Sequence, residues 1–138
     1  HAYNPFKHRH MPEIHEKVKI LKGKDVSINF VPHLLPLTRG MLVSVFATLK
    51  EDIDVNKVLE DAYKDCEFVR LRNKPVDVKS VAGTNFCDLF VTKNGNALFV
   101  SSAIDNLLRG ASSQAVVNAN ILCGYEENEG IPKIAYVP

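Results

Sequence analysis

The dipeptide Asn94-Gly95, set between the alternating runs 86–92 and 97–102, constrains the fold more than any other feature of the sequence. Asn-Gly suits the left-handed backbone of a tight hairpin turn, so it predicts an antiparallel pair of strands near the middle of the chain. A lone hairpin is marginal in water and needs further strands or helices against it. The flanking patterns supply them. Pro12 and Glu13 suit the first turn of a helix, Ile14, Val18 and Leu21 recur on one face, and Gly23 closes it. Residues 26–31 alternate as a strand, Pro32 and Pro36 stiffen the link that follows, and 41–49 form an apolar strand. Asp54 caps a second helix whose apolar face is Val55, Val58, Leu59, Ala62, Tyr63 and Cys66. Strands are expected at 68–72 and near 78–82. A long helix runs from Ile104 to Gly124, with Ile104, Leu107, Leu108, Ala111, Ala115, Ala119 and Leu122 on one face. Residues 125–138 read as loop and terminal arm. Strands that cluster without regular βαβ alternation predict one α+β domain over 1–138. Its sheet is mixed and largely antiparallel, with helices on one face.

Composition removes several classes of function. With 46% hydrophobic and 24% charged residues, the 138-residue chain is that of a globular domain, not a disordered tail. A net charge of +1 offers no electrostatic footprint for nucleic acid. No apolar run approaches the roughly 18 residues of a membrane span, and the start has no basic-then-apolar signal. An opening His1 in place of Met leads to the expectation of a fragment or an engineered start, with anything upstream, a targeting peptide included, outside the sequence. Cys66, Cys87 and Cys123 form no CxxC pair, so they read as three buried thiols in a reducing compartment. Neither GxGxxG nor GxxxxGK[ST] occurs, which excludes a phosphate-cradling loop here.

The densest polar group is His8-Arg9-His10, followed by Glu13 and His15. Read as a metal site it lacks an identifiable third ligand. As an acid–base site it is well placed. A histidine beside a helix N-terminus is favoured in its neutral form, and a neutral imidazole can take a proton from a thiol and return it. Arg9 offers a planar fork to a carboxylate or phosphate, as does Arg39 after the proline-stiffened loop. The bland alternative is a solvated segment at 8–10 and a strand-entry turn at Arg39. Asn85, Asp88, Asp105, Asn106 and Asn120 read as caps or backbone tethers. Gln114 and Asn118 share a helical stripe that can face a ligand.

The stretches HRHMPEI at 8–14, FVPHLLPLTRGML at 30–42, GTNFCDLFV at 83–91 and SSAIDNLLRGASSQAVVNAN at 101–120, with Tyr3 ahead of them, cover nearly the whole chain. Through them it resembles the C-terminal part of the N-acetyl-γ-glutamyl-phosphate reductases of arginine biosynthesis. The resemblance implies a catalytic and dimerisation domain of the glyceraldehyde-3-phosphate-dehydrogenase C-terminal type. It also implies an N-terminal NADP-binding Rossmann domain, absent here, which carries the nucleophilic cysteine. The implied chemistry is NADPH-dependent reduction of a small-molecule acyl phosphate, N-acetyl-glutamyl 5-phosphate, to the semialdehyde with release of phosphate. His8 or His10 would be the acid–base partner of the thiolate. Tyr3, Arg9, Glu13 and Arg39 would shape the substrate pocket, Asn118 would approach the nicotinamide, and His33 would be supporting. The implied partners are the chain's own N-terminal domain and further copies in a dimer or tetramer built through strand 41–49. The implied compartment is the cytoplasm, or an organelle in a eukaryotic source. The fragment alone is expected to be inactive. The related reductase of lysine biosynthesis, which acts on a carrier-linked substrate, and a non-catalytic assembly module stand as alternatives. HRH-x-PEI argues against aspartate-semialdehyde dehydrogenase.

Overall fold

The computed structural model describes residues 1–135, which divide into two compact units, His1–Leu37 and the chain from Thr38 onward. The first unit is built on helix α1, His10–Lys22. Gly23 closes it at φ 68°, donating its N–H to the Lys19 carbonyl, as the sequence predicts. The apolar stripe is only partly covered: Ile14 and Val18 are half-buried and Leu21 is 82% exposed. The expected strand at 26–31 does not form. This segment is extended, but it and the residues just after it meet the N-terminal residues only through isolated bonds among the described residues: Phe6 N–H to Phe30 O, Tyr3 N–H to Pro32 O, Leu34 N–H to His1 O, and a bridge from Ala2 to His33. Asn4 and Phe6 have φ of 45° and 58°, left-handed values that no regular ladder accommodates.

The second unit is the α+β body. Strands β1 (Met41–Thr48), β2 (Val69–Leu71), β3 (Cys87–Asn94) and β4 (Ala97–Ile104) form one mixed sheet in the order β1-β4-β3-β2. The pairs β1–β4 and β4–β3 are antiparallel and β2–β3 is parallel. The hairpin stands as expected. Asn94 pairs with Ala97, so Gly95 and Asn96 make the turn, and Gly95 takes the positive φ of 54°. Helix α2, Val55–Tyr63, begins where Asp54 accepts N–H bonds from Asn56 and Lys57. Its Leu59 lines a shallow cleft with Leu71, Leu89 and Val91, which places α2 against β2 and β3. Helix α3, Ser113–Cys123, buries Val117 against Phe68 and Ile131.

Four expectations are corrected. The strand near 78–82 is a single 3-10 turn, Val78–Ser80, because the Asp77 carboxylate accepts the N–H groups of Lys79 and Ser80 and bends the backbone. The helix expected from Ile104 starts later. Strand β4 runs through Ile104, and a wide turn at Leu108–Ser112 precedes α3. The Asp105 carboxylate and carbonyl, accepting from Leu107, Leu108 and Gly110, set that turn. The buried stripe of α3 is accordingly Ser113, Val117 and Asn120, while Leu107, Ala111, Ala115, Ala119 and Leu122 stay exposed. Cys66 lies beyond the end of α2 and is exposed, as is Cys123; only Cys87 is half-buried. Burial pushes the Cys87 thiol up, and the neighbouring Asp88 charge adds to this against an opposing pull from Arg109. Finally, the expected tail is not all free arm: Ile131 belongs to the core, and Asn85 and Asn120 tether residues 127–132 through their side-chain amides. Residues 136–138 of that tail lie outside the described residues. Among the described residues no helix is long and apolar enough to cross a membrane.

Candidate active site

The two histidines of His8-Arg9-His10 are chemically unequal. His8 is buried at 8% exposure, while Arg9 and His10 are exposed. Packing sets the His8 ring on three sides. Its centroid lies 5.0 Å from that of Tyr3, 5.5 Å from Phe30 and 4.7 Å from His10, with the Tyr3 and His10 rings nearly perpendicular to it. Both of its nitrogens have partners: Tyr3 Oη is 2.5 Å from Nε2, and the His10 backbone N–H donates to Nδ1 at 3.2 Å. A nitrogen that accepts an N–H bond carries no proton of its own, so the ring proton is assigned to Nε2, which donates to the tyrosine oxygen.

That arrangement also explains how α1 begins. Arg9, at the N-cap, offers no side-chain hydrogen bond. The first N–H of the helix is instead satisfied by the imidazole of His8. Glu13 sits in the first turn, where a negative charge is favoured. His10 is the first helical residue, its ring stands edge-on to His8, and among the described residues no side-chain bond holds its nitrogens. Of the two, His10 has the imidazole free to exchange a proton with a reactant. His33 is exposed, with Nδ1 3.2 Å from the Val31 carbonyl, and remains local to its loop.

The remaining candidates lie in the second unit. Arg39 is held by Asp105, with Nη1 3.2 Å from Oδ2. Its side chain is 39% exposed, and the rest of its fork has donors to spare. Asp105 is fully buried and also accepts from Gly83, Leu107 and Leu108. Burial by itself raises its pKa, but these backbone donors and Arg39 outweigh it and hold the carboxyl below the usual carboxylate range. The Asn106 side chain accepts from Gly40 N–H at 2.7 Å, so the expected capping roles at 105 and 106 hold. Asn118 is exposed and accepts from Gln114 across one turn of α3. Among the described residues no group of three or more His, Cys, Asp or Glu could hold a metal ion. Sequence reasoning missed the Tyr3–His8 bond and the packing of Phe30 on His8. The first is a five-residue contact across a left-handed kink; the second spans 22 positions with no periodic signal.

Residues 1–106 match the family model described as semialdehyde dehydrogenase, dimerisation domain, and the chain belongs to that family. It is similar to proteins named N-acetyl-gamma-glutamyl-phosphate reductase from several organisms. Identity is 64% over 137 residues with that of Sulfurovum sp. (99% of this chain, 41% of the relative). It is 55% over 137 residues with that of Wolinella succinogenes (99% and 41%). With the Methanococcus maripaludis protein it is 45% over 136 residues (94% and 40%). The chain therefore spans about two fifths of the length of the curated relatives it matches.

Proposed function

We propose that the chain is the catalytic and dimerisation part of a cytoplasmic NADPH-dependent reductase that converts N-acetyl-glutamyl 5-phosphate to N-acetylglutamate 5-semialdehyde and phosphate. We propose further that His10 is its proton-transfer group. The observation that carries the assignment is the inequality of the two histidines: both nitrogens of His8 are engaged inside the fold, whereas His10 presents its ring at the surface. The sequence match to reductases at up to 64% identity supports the reaction class.

The nicotinamide cofactor of such an enzyme supplies hydride. The residues here do not fit its pyrophosphate, since the chain has no Gly-rich loop at a helix start. Burial pushes the Cys87 thiol up, which disfavours the thiolate, and Cys66 and Cys123 lie exposed. What these residues do is local. His10 takes the proton of a thiol brought to it and returns one to the departing oxygen. Arg9 beside it holds an anionic group of the substrate, and Glu13 steadies the helix start that carries both. In the second unit Arg39, anchored by Asp105, keeps further N–H donors for an anionic group. Asn118 keeps its amide N–H₂ free for a carboxamide oxygen of the cofactor.

A direct assay separates this reading from its rival. The full-length protein should oxidise NADPH when supplied with N-acetyl-glutamyl 5-phosphate, and the 138-residue chain alone should not. Turnover of only a carrier-linked acyl phosphate would assign the protein to the lysine-type reaction. Activity of the isolated chain would refute the division of labour.

A further inference from the structure

We infer that Tyr3 and His8 are positioning residues: His8 moves no proton itself but fixes the start of α1, and with it the ring of His10, while Tyr3 holds the His8 ring in its orientation. The inference rests on His10 being the group that transfers the proton. It gives Tyr3 a different task from contacting substrate.

The geometry forms a single line of contacts. Tyr3 is fixed by its own backbone, whose N–H donates to the Pro32 carbonyl at 2.9 Å, beside the Ala2–His33 bridge. Its hydroxyl meets His8 Nε2, and His8 Nδ1 accepts the His10 amide. The His8 carbonyl, in turn, accepts from Met11 N–H at 2.9 Å, so both ends of His8 are tied into the first turn. Helix starts usually take a serine, threonine or acidic side chain for this purpose. Here an imidazole does it, and an imidazole can be read out by its tautomer.

The route from Tyr3 to His8 is strained. Asn4 and Phe6 both hold left-handed backbone, and Phe6 is a bulky residue for which that is an outlier. Such conformations persist only where surrounding contacts over-determine them. The kink is what folds Tyr3 back by five residues so that its hydroxyl reaches the ring. A substrate-contacting tyrosine would need its hydroxyl turned outward; this one is committed to His8.

Three readings test the inference. In the 138-residue chain, long-range proton–nitrogen NMR should show His8 as a single Nε2–H tautomer. Tyr3→Phe should keep that tautomer, which the His10 amide sets, but shift the His8 Nε2 signal as its hydroxyl partner is lost. In the full-length reductase, Tyr3→Phe should lower kcat by about 3- to 100-fold, the range expected when a catalytic group is misplaced without being removed. KM for the acyl phosphate should stay within about 2-fold, because no ground-state contact is lost. The double variant Tyr3→Phe/His8→Asn should cost no more than the worse single variant, since the two act through one another. A mixed or Nδ1–H tautomer in the unaltered chain would overturn the inference, and that reading needs no variant to fold. So would a Tyr3→Phe enzyme with raised KM and unchanged kcat. If the tautomer and the Tyr3-dependent shift hold but His10→Asn keeps full turnover, it is the assignment of His10 that fails, not the role of Tyr3 and His8.

Discussion

Asp105 shows how one side chain organises the second unit. Its carboxylate joins the entry to β1 through Arg39, the loop at Gly83, and the turn after β4. Because its folded pKa lies below the ordinary value, the stability it contributes is complete above the unfolded carboxylate pKa of about 3.9. It is lost as pH falls from there through the lower folded value. Asp105→Asn should therefore cost about 2–3 kcal/mol at neutral pH, since it leaves buried N–H donors less well matched and Arg39 unpaired. Urea unfolding at pH 7 and pH 3 should show the difference between the variant and the parent chain shrinking at the lower pH. A difference independent of pH would mean that the carboxylate charge is not what matters. Asp105 as a cap was legible in the sequence because capping is local. Its pairing with Arg39, 66 positions away, was not.

At the scale of elements, legibility followed the range of the contacts. The hairpin, the Asp54 cap and the Gly23 stop were readable because turn and cap chemistry is written within a few residues. The missing strand at 26–31 and the displaced face of α3 were not. The first depends on whether a partner strand lies alongside, the second on where Asp105 lets the helix begin. Gly40 marks one close approach of this kind. Its φ is 110°, and a Cβ there would come within 2.7 Å of Val78 Cβ. Gly40→Ala should destabilise the chain by about 2–4 kcal/mol, from backbone strain and overpacking together. Thermal unfolding measures this, and an unchanged Tm would show that the Val78 turn moves aside freely. Strand β1 makes the opposite prediction. It is an edge strand paired only with β4, and Leu42, Val45 and Phe46 are 50%, 48% and 79% exposed. Phe46 continues into a row with Phe99, 5.2 Å away, and Phe90 beyond it.

For the whole molecule, that apolar strand is where we place the contact between copies, in keeping with membership of a dimerisation-domain family. Sedimentation of the chain at micromolar concentration should give a homo-oligomer. Val45→Lys should dissociate it without unfolding it, because Val45 is not part of the chain's own core. A parent chain that sediments as a monomer would remove strand β1 from the interface. The family assignment extends over 1–106 and so takes in both compact units, the histidine motif of the first and the sheet of the second.

The division of roles in the HRH motif is the claim on which the functional account turns, and steady-state kinetics of two single variants test it most directly. In the full-length protein, assayed for the proposed reduction, His10→Asn should lower kcat by about 100- to 10,000-fold, the usual worth of a positioned acid–base group. His8→Asn should lose less, because it disturbs the helix start and leaves the proton-transferring ring in place. Near-normal turnover in His10→Asn, or a larger loss in His8→Asn, would contradict the account.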